Sequence, residues 1–149
     1  MVMEKDRVQI IEANIDDMSP QIYEYLLERL MAEGALDAYL QNIIMKKGRP
    51  AVKVSVICEG KDTKKLSEII LGETTTIGVR ILDAERLKLP RKMANVKTKY
   101  GQIPVKISKG VATWTITPEY DACVKIARQK KVPLRKVICA AKDAAELLG

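Results

Sequence analysis

The order in which the hydrophobic period switches between two and 3.6 limits the fold of this chain more than any other feature. Val8 to Ala13 is a short apolar segment with strand character. Ser19 is a good helix cap and Pro20 suits the first helical position. Ile22, Leu26, Leu30 and Met31 then recur at helical spacing, with Tyr25 beside them, until Glu33-Gly34. Leu36 to Met45 is apolar enough for a strand, and Lys46-Lys47-Gly48-Arg49-Pro50 breaks it. Val52, Val54, Val56 and Cys58 alternate with Lys53, Ser55 and Ile57, a half-buried strand. Asp62 or Thr63 can cap a second helix, with Leu66, Ile69 and Ile70 on one face, and Ile77 to Leu87 reads as a fourth strand. The order βαββαβ predicts an α+β ferredoxin-like sandwich over residues 1–90, with the third strand between parallel first and second strands.

Leu89-Pro90-Arg91-Lys92 reads as a junction, and residues 91–149 as a small α+β domain of a hairpin plus helices. Val96 to Thr98 and Ile103 to Ile107 flank Tyr100-Gly101, a tight hairpin signal, and Pro104 suggests an edge strand or a bulge. Residues 111–117 read as a further strand. Thr117-Pro118-Glu119 opens a third helix, and Leu134 to Leu148 forms a last one, with Leu134, Val137, Ile138, Ala141 and Leu148 near one face.

The predicted topology carries three chemically distinct segments to one end of the first sheet. Asn14-Ile15-Asp16-Asp17-Met18-Ser19-Pro20 leaves the first strand, Met45 to Pro50 leaves the second, and Glu73-Thr74-Thr75-Thr76-Ile77-Gly78 follows the second helix. Asp16 and Asp17 either complement a helix dipole or hold a hard divalent cation, with Glu12 and Glu73 as further oxygen ligands. Lys46, Lys47 and Arg49 around Gly48 are either a solvated hairpin tip or a phosphate grip. Thr74, Thr75 and Thr76 offer hydroxyls to phosphate or ribose oxygens, or simply lead into a strand, and Arg80 points to the same site or to an interface. The GxxxxGK[ST] spacing of a Walker loop is absent. Together the segments suit a metal-bound nucleoside triphosphate. No catalytic residue is assigned. Lys97, Lys99 and Lys106 form a basic face on the hairpin, read as solvated, and Trp114 as core or interface.

Composition narrows the chemistry. The 149 residues include 26 Lys or Arg and 19 Asp or Glu, a net charge of +7 that favours anionic partners. With no histidine, the commonest neutral-pH base and transition-metal ligand is missing, which leaves oxygen donors or the sulfurs of Cys58, Cys123 and Cys139. The cysteines have no CxxC spacing and read as reduced thiols. No apolar run approaches the roughly 18 residues of a membrane span. The start, Met-Val-Met-Glu-Lys-Asp-Arg, has no apolar targeting region, so a cytoplasmic chain without membrane contact is expected.

The chain resembles the C-terminal domain of the pyridinium-3,5-bisthiocarboxylic acid mononucleotide nickel insertion proteins, the nickel chelatases of the nickel-pincer cofactor of lactate racemase. The resemblance rests on EANIDDMSP from Glu12, MKKGRP from Met45, ETTTIGVR from Glu73, TKYGQIPVKI from Thr98 and TPEYDAC from Thr117, in order over nearly the whole chain. Ala13 and Gln21 stand where threonine and glutamate are expected. The resemblance implies a lyase that inserts Ni²⁺, as a substrate, between the thiocarboxylate sulfurs of a pyridinium mononucleotide, while CTP is cleaved to CMP and pyrophosphate with Mg²⁺ or Mn²⁺. It implies an N-terminal chelatase domain upstream, absent from this chain, and a homo-oligomer. From charge and topology we assign Lys46, Lys47 and Arg49 to the triphosphate and Asp16 and Asp17 to the metal. The alternatives are a nucleotide-sensing regulatory module without turnover and an RNA-binding module of the RRM type. The latter shares the sheet order, but Val52 to Cys58 and Val8 to Ala13 contain no aromatic residue for stacking bases.

Overall fold

The computed structural model describes residues 3–110 and 112–147. The start of the predicted strand at Val111 and the Leu148 contact of the last helix lie outside them. The chain separates into one unit of Lys5–Arg86 and a second built from Leu87 onward with the residues up to Glu4.

In the first unit, strands β1 (Glu4–Ile15), β2 (Asp37–Met45), β3 (Arg49–Cys58) and β4 (Arg80–Lys88) lie in the order β2-β3-β1-β4. Helices α1 (Ile22–Ala32) and α2 (Thr63–Glu73) complete the βαββαβ order. β3 is antiparallel to β1, with Ile11 opposite Val56 and Ala13 opposite Val54, and antiparallel to β2, with Leu40 opposite Val54. Ile11, Ala13 and Ile15 of β1 and Val54, Val56 and Cys58 of β3 are buried together with Leu26 and Leu30 of α1 and Leu66 and Ile70 of α2. Because side chains alternate across a strand, this burial leaves Glu12 and Asn14 on the other sheet face.

The elements differ from the sequence reading at their ends, for physical reasons. β1 extends to Glu4 through polar residues because Lys5 pairs with Glu85 at 2.8 Å and Asp6 with Arg86 at 2.8 Å across to β4. α1 starts at Ile22, not at Pro20. The Ser19 and Pro20 carbonyls accept the Ile22 and Tyr23 amides in a preceding turn, and the cap residue Gln21 makes no side-chain cap bond. Neither does Asp62 at the start of α2. β4 starts at Arg80, since the Thr76 hydroxyl donates to the Gly78 carbonyl at 3.0 Å and holds Ile77 in a loop.

The second unit is a three-stranded antiparallel sheet, β5 (Arg91–Thr98), β6 (Gly101–Lys109) and β7 (Trp114–Pro118), with helices α3 (Tyr120–Lys130) and α4 (Leu134–Glu146). Val96, Ile103 and Val105 are buried with Cys123, Val137 and Ala141. Thr98 pairs with Gly101, so the two turn residues are Lys99 and Tyr100, one position earlier than the sequence signal, and Gly101 takes φ +125°. β6 is the central strand, against the edge expected from Pro104. The proline fits because the β7 ladder begins only at Val105 opposite Pro118, and the Pro104 carbonyl accepts the Glu119 amide at 2.9 Å. A residue in an antiparallel strand turns its N–H and C=O to the same neighbour, so the missing N–H breaks no bond to β5.

Leu26 is fully buried and Ile81 half-exposed. Leu26→Ala should cost about 2–5 kcal/mol, and Ile81→Ala less than about 1 kcal/mol. Urea denaturation of both variants checks the contrast; equal losses would place the core elsewhere.

Candidate functional site

The polar face of β1 gathers the cations of the first unit into a row. Glu12 and Asn14 share that face, and Asp16 stands one residue past the strand end. The Lys53 ammonium donates to Glu12 at 3.1 Å, and the Ser55 hydroxyl donates to the same oxygen at 3.4 Å. The other Glu12 oxygen faces the Arg80 guanidinium at 3.5 Å, which also donates to the Asn14 side-chain oxygen at 3.0 Å. Arg49 donates to Asp16 at 3.1 Å. Lys53 and Arg49 come from β3 on one side of β1, and Arg80 from β4 on the other.

Electrostatics follows from this packing. Lys53 beside it holds the Glu12 carboxyl below the usual carboxylate range; burial opposes the shift and Arg80 adds to it. Burial pushes the Tyr23 hydroxyl up, and the nearby Asp17 charge adds to the effect.

The hairpin between β2 and β3 closes where Met45 pairs with Arg49. Its tip, Lys46–Gly48, is a short 3-10 turn in which Lys47 and Gly48 take φ +63° and +67°. For lysine the left-handed region costs about 1–2 kcal/mol, strain of a kind that collects at functional sites. Lys46 and Lys47 are exposed and make no ion pair among the described residues.

The third segment divides. The Thr75 hydroxyl donates to Asp17 at 2.5 Å, so this loop does reach the aspartate turn. The Thr74 hydroxyl instead donates to the Ile70 carbonyl at 2.7 Å and accepts the Thr76 amide, closing the end of α2. Thr76 is bonded to Gly78, as described above. Glu73, expected beside the aspartates as a metal ligand, is ion-paired with Arg29 on α1 instead. Its position in the last turn of α2 leaves it next to the neighbouring helix. Among the described residues no group of three or more His, Cys, Asp or Glu side chains is placed to hold a metal ion by itself.

The structure thus brings Asp16 to Arg49, Asp17 to Thr75 and Arg80 to Asn14. It adds Asn14, Lys53 and Ser55, to which the sequence reading gave no site role. Their signal was strand alternation: each lies on the face opposite the buried residues of β1 or β3. A cleft of about 470 Å³ adjoins Asp16, walled by Met18, Tyr23, Ile43, Pro50 and Val52. It was not legible either, because its walls read as ordinary strand and helix residues.

An α+β ferredoxin-like unit with a charged sheet end defines the architectural class. A sequence model of the family described as "Nickel insertion protein" matches residues 1–138, and the chain belongs to that family. It is 44% identical over 133 residues to the pyridinium-3,5-bisthiocarboxylic acid mononucleotide nickel insertion protein of Thermotoga petrophila, covering 89% of this chain and 34% of that protein. A putative nickel insertion protein of Dictyoglomus thermophilum is 42% identical over 134 residues, covering 90% and 35%. The chain therefore spans about a third of the length of these relatives. A solved structure titled as the C-terminal domain of a cyclometallase involved in the synthesis of the NPN cofactor of lactate racemase, in apo form, superposes with a TM-score of 0.89 at 38% identity. That match covers 96% of this chain and 99% of the other. No helix among the described residues is long and apolar enough to cross a membrane.

The depressed Glu12 pKa contributes stability above about pH 4.3, the ordinary glutamate value, and that stability is lost as pH falls through the lower folded-state value. Glu12→Gln should lower stability at pH 7 and flatten the decline as pH falls below the ordinary glutamate value. Denaturant titrations at pH 3, 5 and 7 test this; an unchanged acid limb in the variant would remove Glu12 from the network.

Proposed function

We propose that the first unit binds CTP with Mg²⁺ or Mn²⁺ at the end of β1, and that the complete protein uses CTP cleavage to CMP and pyrophosphate to insert Ni²⁺, a substrate, into a pyridinium bisthiocarboxylate mononucleotide. The observation that carries this reading is the meeting of Asp16 with Arg49 and of Asp17 with Thr75 near a hairpin tip whose two lysines make no ion pair among the described residues. Lys46, Lys47 and Arg49 bind the triphosphate oxygens, and Arg80, oriented by Asn14 and Glu12, adds a guanidinium from the opposite strand. Thr75 offers its hydroxyl at the same turn. Asp16 and Asp17 hold the divalent cation.

The donor set fits a hard cation only when the nucleotide completes it. Two carboxylates in adjacent turn positions are too few for a six-oxygen shell, and phosphate and water oxygens supply the remainder. When bound, the cation neutralises charge on the phosphate oxygens. In the free protein Arg49 and Asp16 neutralise each other. A metal-nucleotide complex offers each a new partner at once, a phosphate for Arg49 and a cation for Asp16. Free nucleotide would leave Asp16 without a counter-charge. Binding of metal and nucleotide is therefore mutually reinforcing. The relatives' names and the apo cyclometallase domain support the nickel-insertion part of this reading. A homo-oligomer and an upstream chelatase domain belong to the same proposal.

Lys46→Ala with Lys47→Ala should weaken CTP binding in the presence of Mn²⁺ tenfold or more, about 1.4 kcal/mol. Calorimetry checks it, and unchanged affinity would place the triphosphate elsewhere. Asp16→Asn should reduce the gain in CTP affinity that Mn²⁺ confers. An equal gain in the variant would leave Asp16 a turn residue. Tight CTP binding by the full-length protein with no pyrophosphate release would favour a sensor over an enzyme.

A further inference from the structure

The net positive charge of the chain resides in the second unit. From Leu87 onward there are 14 Lys or Arg and 4 Asp or Glu, whereas Lys5–Arg86 carries 12 and 14. Pairing differs as sharply. Apart from Lys46 and Lys47 at the hairpin tip, many cations of the first unit meet carboxylates, as in Lys5–Glu85, Arg29–Glu73, Lys53–Glu12 and Arg86–Asp6. In the second unit Lys106 meets Glu119 at 2.9 Å, while Lys99, Arg135 and Lys136 make no ion pair among the described residues. Unpaired like charges on a small unit repel one another and draw anions from solution.

Those three cations converge on one cleft of about 600 Å³, between the β5–β6 hairpin tip and α4, which Tyr100, Cys139 and Asp143 also line. Its size suits a small molecule rather than an extended polymer. Arg135 and Lys136 stand in the first turn of α4, which holds no acidic residue. The positive end of a helix dipole disfavours cations there, so helix stability does not account for their placement. The tip opposite is fixed: the Thr98 hydroxyl donates to the Gly101 carbonyl at 2.9 Å and accepts the Tyr100 amide at 3.1 Å. The Tyr100 ring already takes a cation, since the Lys99 ammonium lies 5.3 Å from its centroid.

We propose that this cleft is a second nucleotide site, separate from the CTP site, and that it takes the anionic pyridinium mononucleotide. The inference rests on the nickel-insertion reading above for the identity of that substrate. Arg135 and Lys136 bind its phosphate. The flat pyridinium cation lies on the Tyr100 ring, displacing the Lys99 ammonium toward the anionic groups. Asp143 is left to accept from the ribose hydroxyls.

Cys139 is a built-in reporter, because it is exposed on the cleft wall while Cys58 and Cys123 are buried, with thiol pKa values raised by burial. The probe is nicotinic acid mononucleotide, which shares the pyridinium, ribose and phosphate. It should slow alkylation of Cys139 in the intact chain by at least threefold, and the protection should weaken at high salt. Arg135→Glu with Lys136→Glu should abolish the protection, and Lys99→Glu alone should weaken it if the double variant fails to fold. Lys46→Ala with Lys47→Ala should leave it unchanged. Protection that survives the charge reversals would overturn the proposal, as would protection lost in the Lys46 and Lys47 variant. So would stronger protection by single-stranded RNA than by the mononucleotide. CTP affinity measured on the same samples separates the two readings: intact CTP binding without mononucleotide protection sinks this inference alone.

Discussion

The pairing of Glu12 with Lys53 and Arg80 is the interaction on which the charged face of the first unit depends. β1 lies between β3 and β4 and receives cations from both at its C-terminal half. Burying Ile11, Ala13 and Ile15 forces Glu12 and Asn14 onto the opposite face. An acid at position 12 keeps Lys53 and Arg80 ordered there at little repulsive cost. Without it, two cations from neighbouring strands would face each other across the sheet. The same period carries Asp16 to Arg49 just past the strand end, so the structural network and the candidate ligand site form one continuous row.

The two units handle charge in opposite ways. The first cancels most of its sheet-face charges locally, so on the proposed reading a ligand there exchanges existing partners at Arg49 and Asp16. Such a site discriminates, since a bare anion or a bare cation gains less than the two together. The second unit leaves Lys99, Arg135 and Lys136 without an ion pair among the described residues, and it has an excess of nine positive charges over its acids. Open cations raise the local concentration of any anion but select weakly by themselves. On the proposal made for that cleft, selection would come from shape, with the hydrogen-bonded hairpin tip and Tyr100 forming one wall. The proposed reaction, which would bring a nucleoside triphosphate and an anionic nucleotide substrate to one protein, calls for both behaviours.

Much of the first unit was legible because its local signals agree with its global packing. The alternation from Val52 to Cys58 and the helical spacing of Leu26 and Leu30 each predict the observed element. Arg49 reaches Asp16 and Thr75 reaches Asp17 because βαββαβ topology brings those loops to one sheet end. Element ends were less legible. Residues 4–7 are polar, and only Glu85 and Arg86 across the sheet make them a strand. Pro104 suggested an edge because sequence does not reveal where the β7 ladder starts. Glu73 was grouped with the aspartates because the predicted topology brings the loop after α2 to the same sheet end, but Glu73 itself closes the helix and pairs with Arg29 of the neighbouring helix.

Sequence by itself determined which residues are apolar at which period, and therefore the order of strands and helices, the face each buries and the end of the sheet where its charged loops emerge. These follow from local sterics and hydrophobic burial, which act over a few residues. Only the tertiary structure decided the partners: Lys53 and Arg80 on Glu12, Arg49 on Asp16, Thr75 on Asp17, Arg29 on Glu73. Ion pairs and hydrogen bonds act over about 3 Å and link residues distant in the chain, so their choice waits on the packing that brings strands and helices into register.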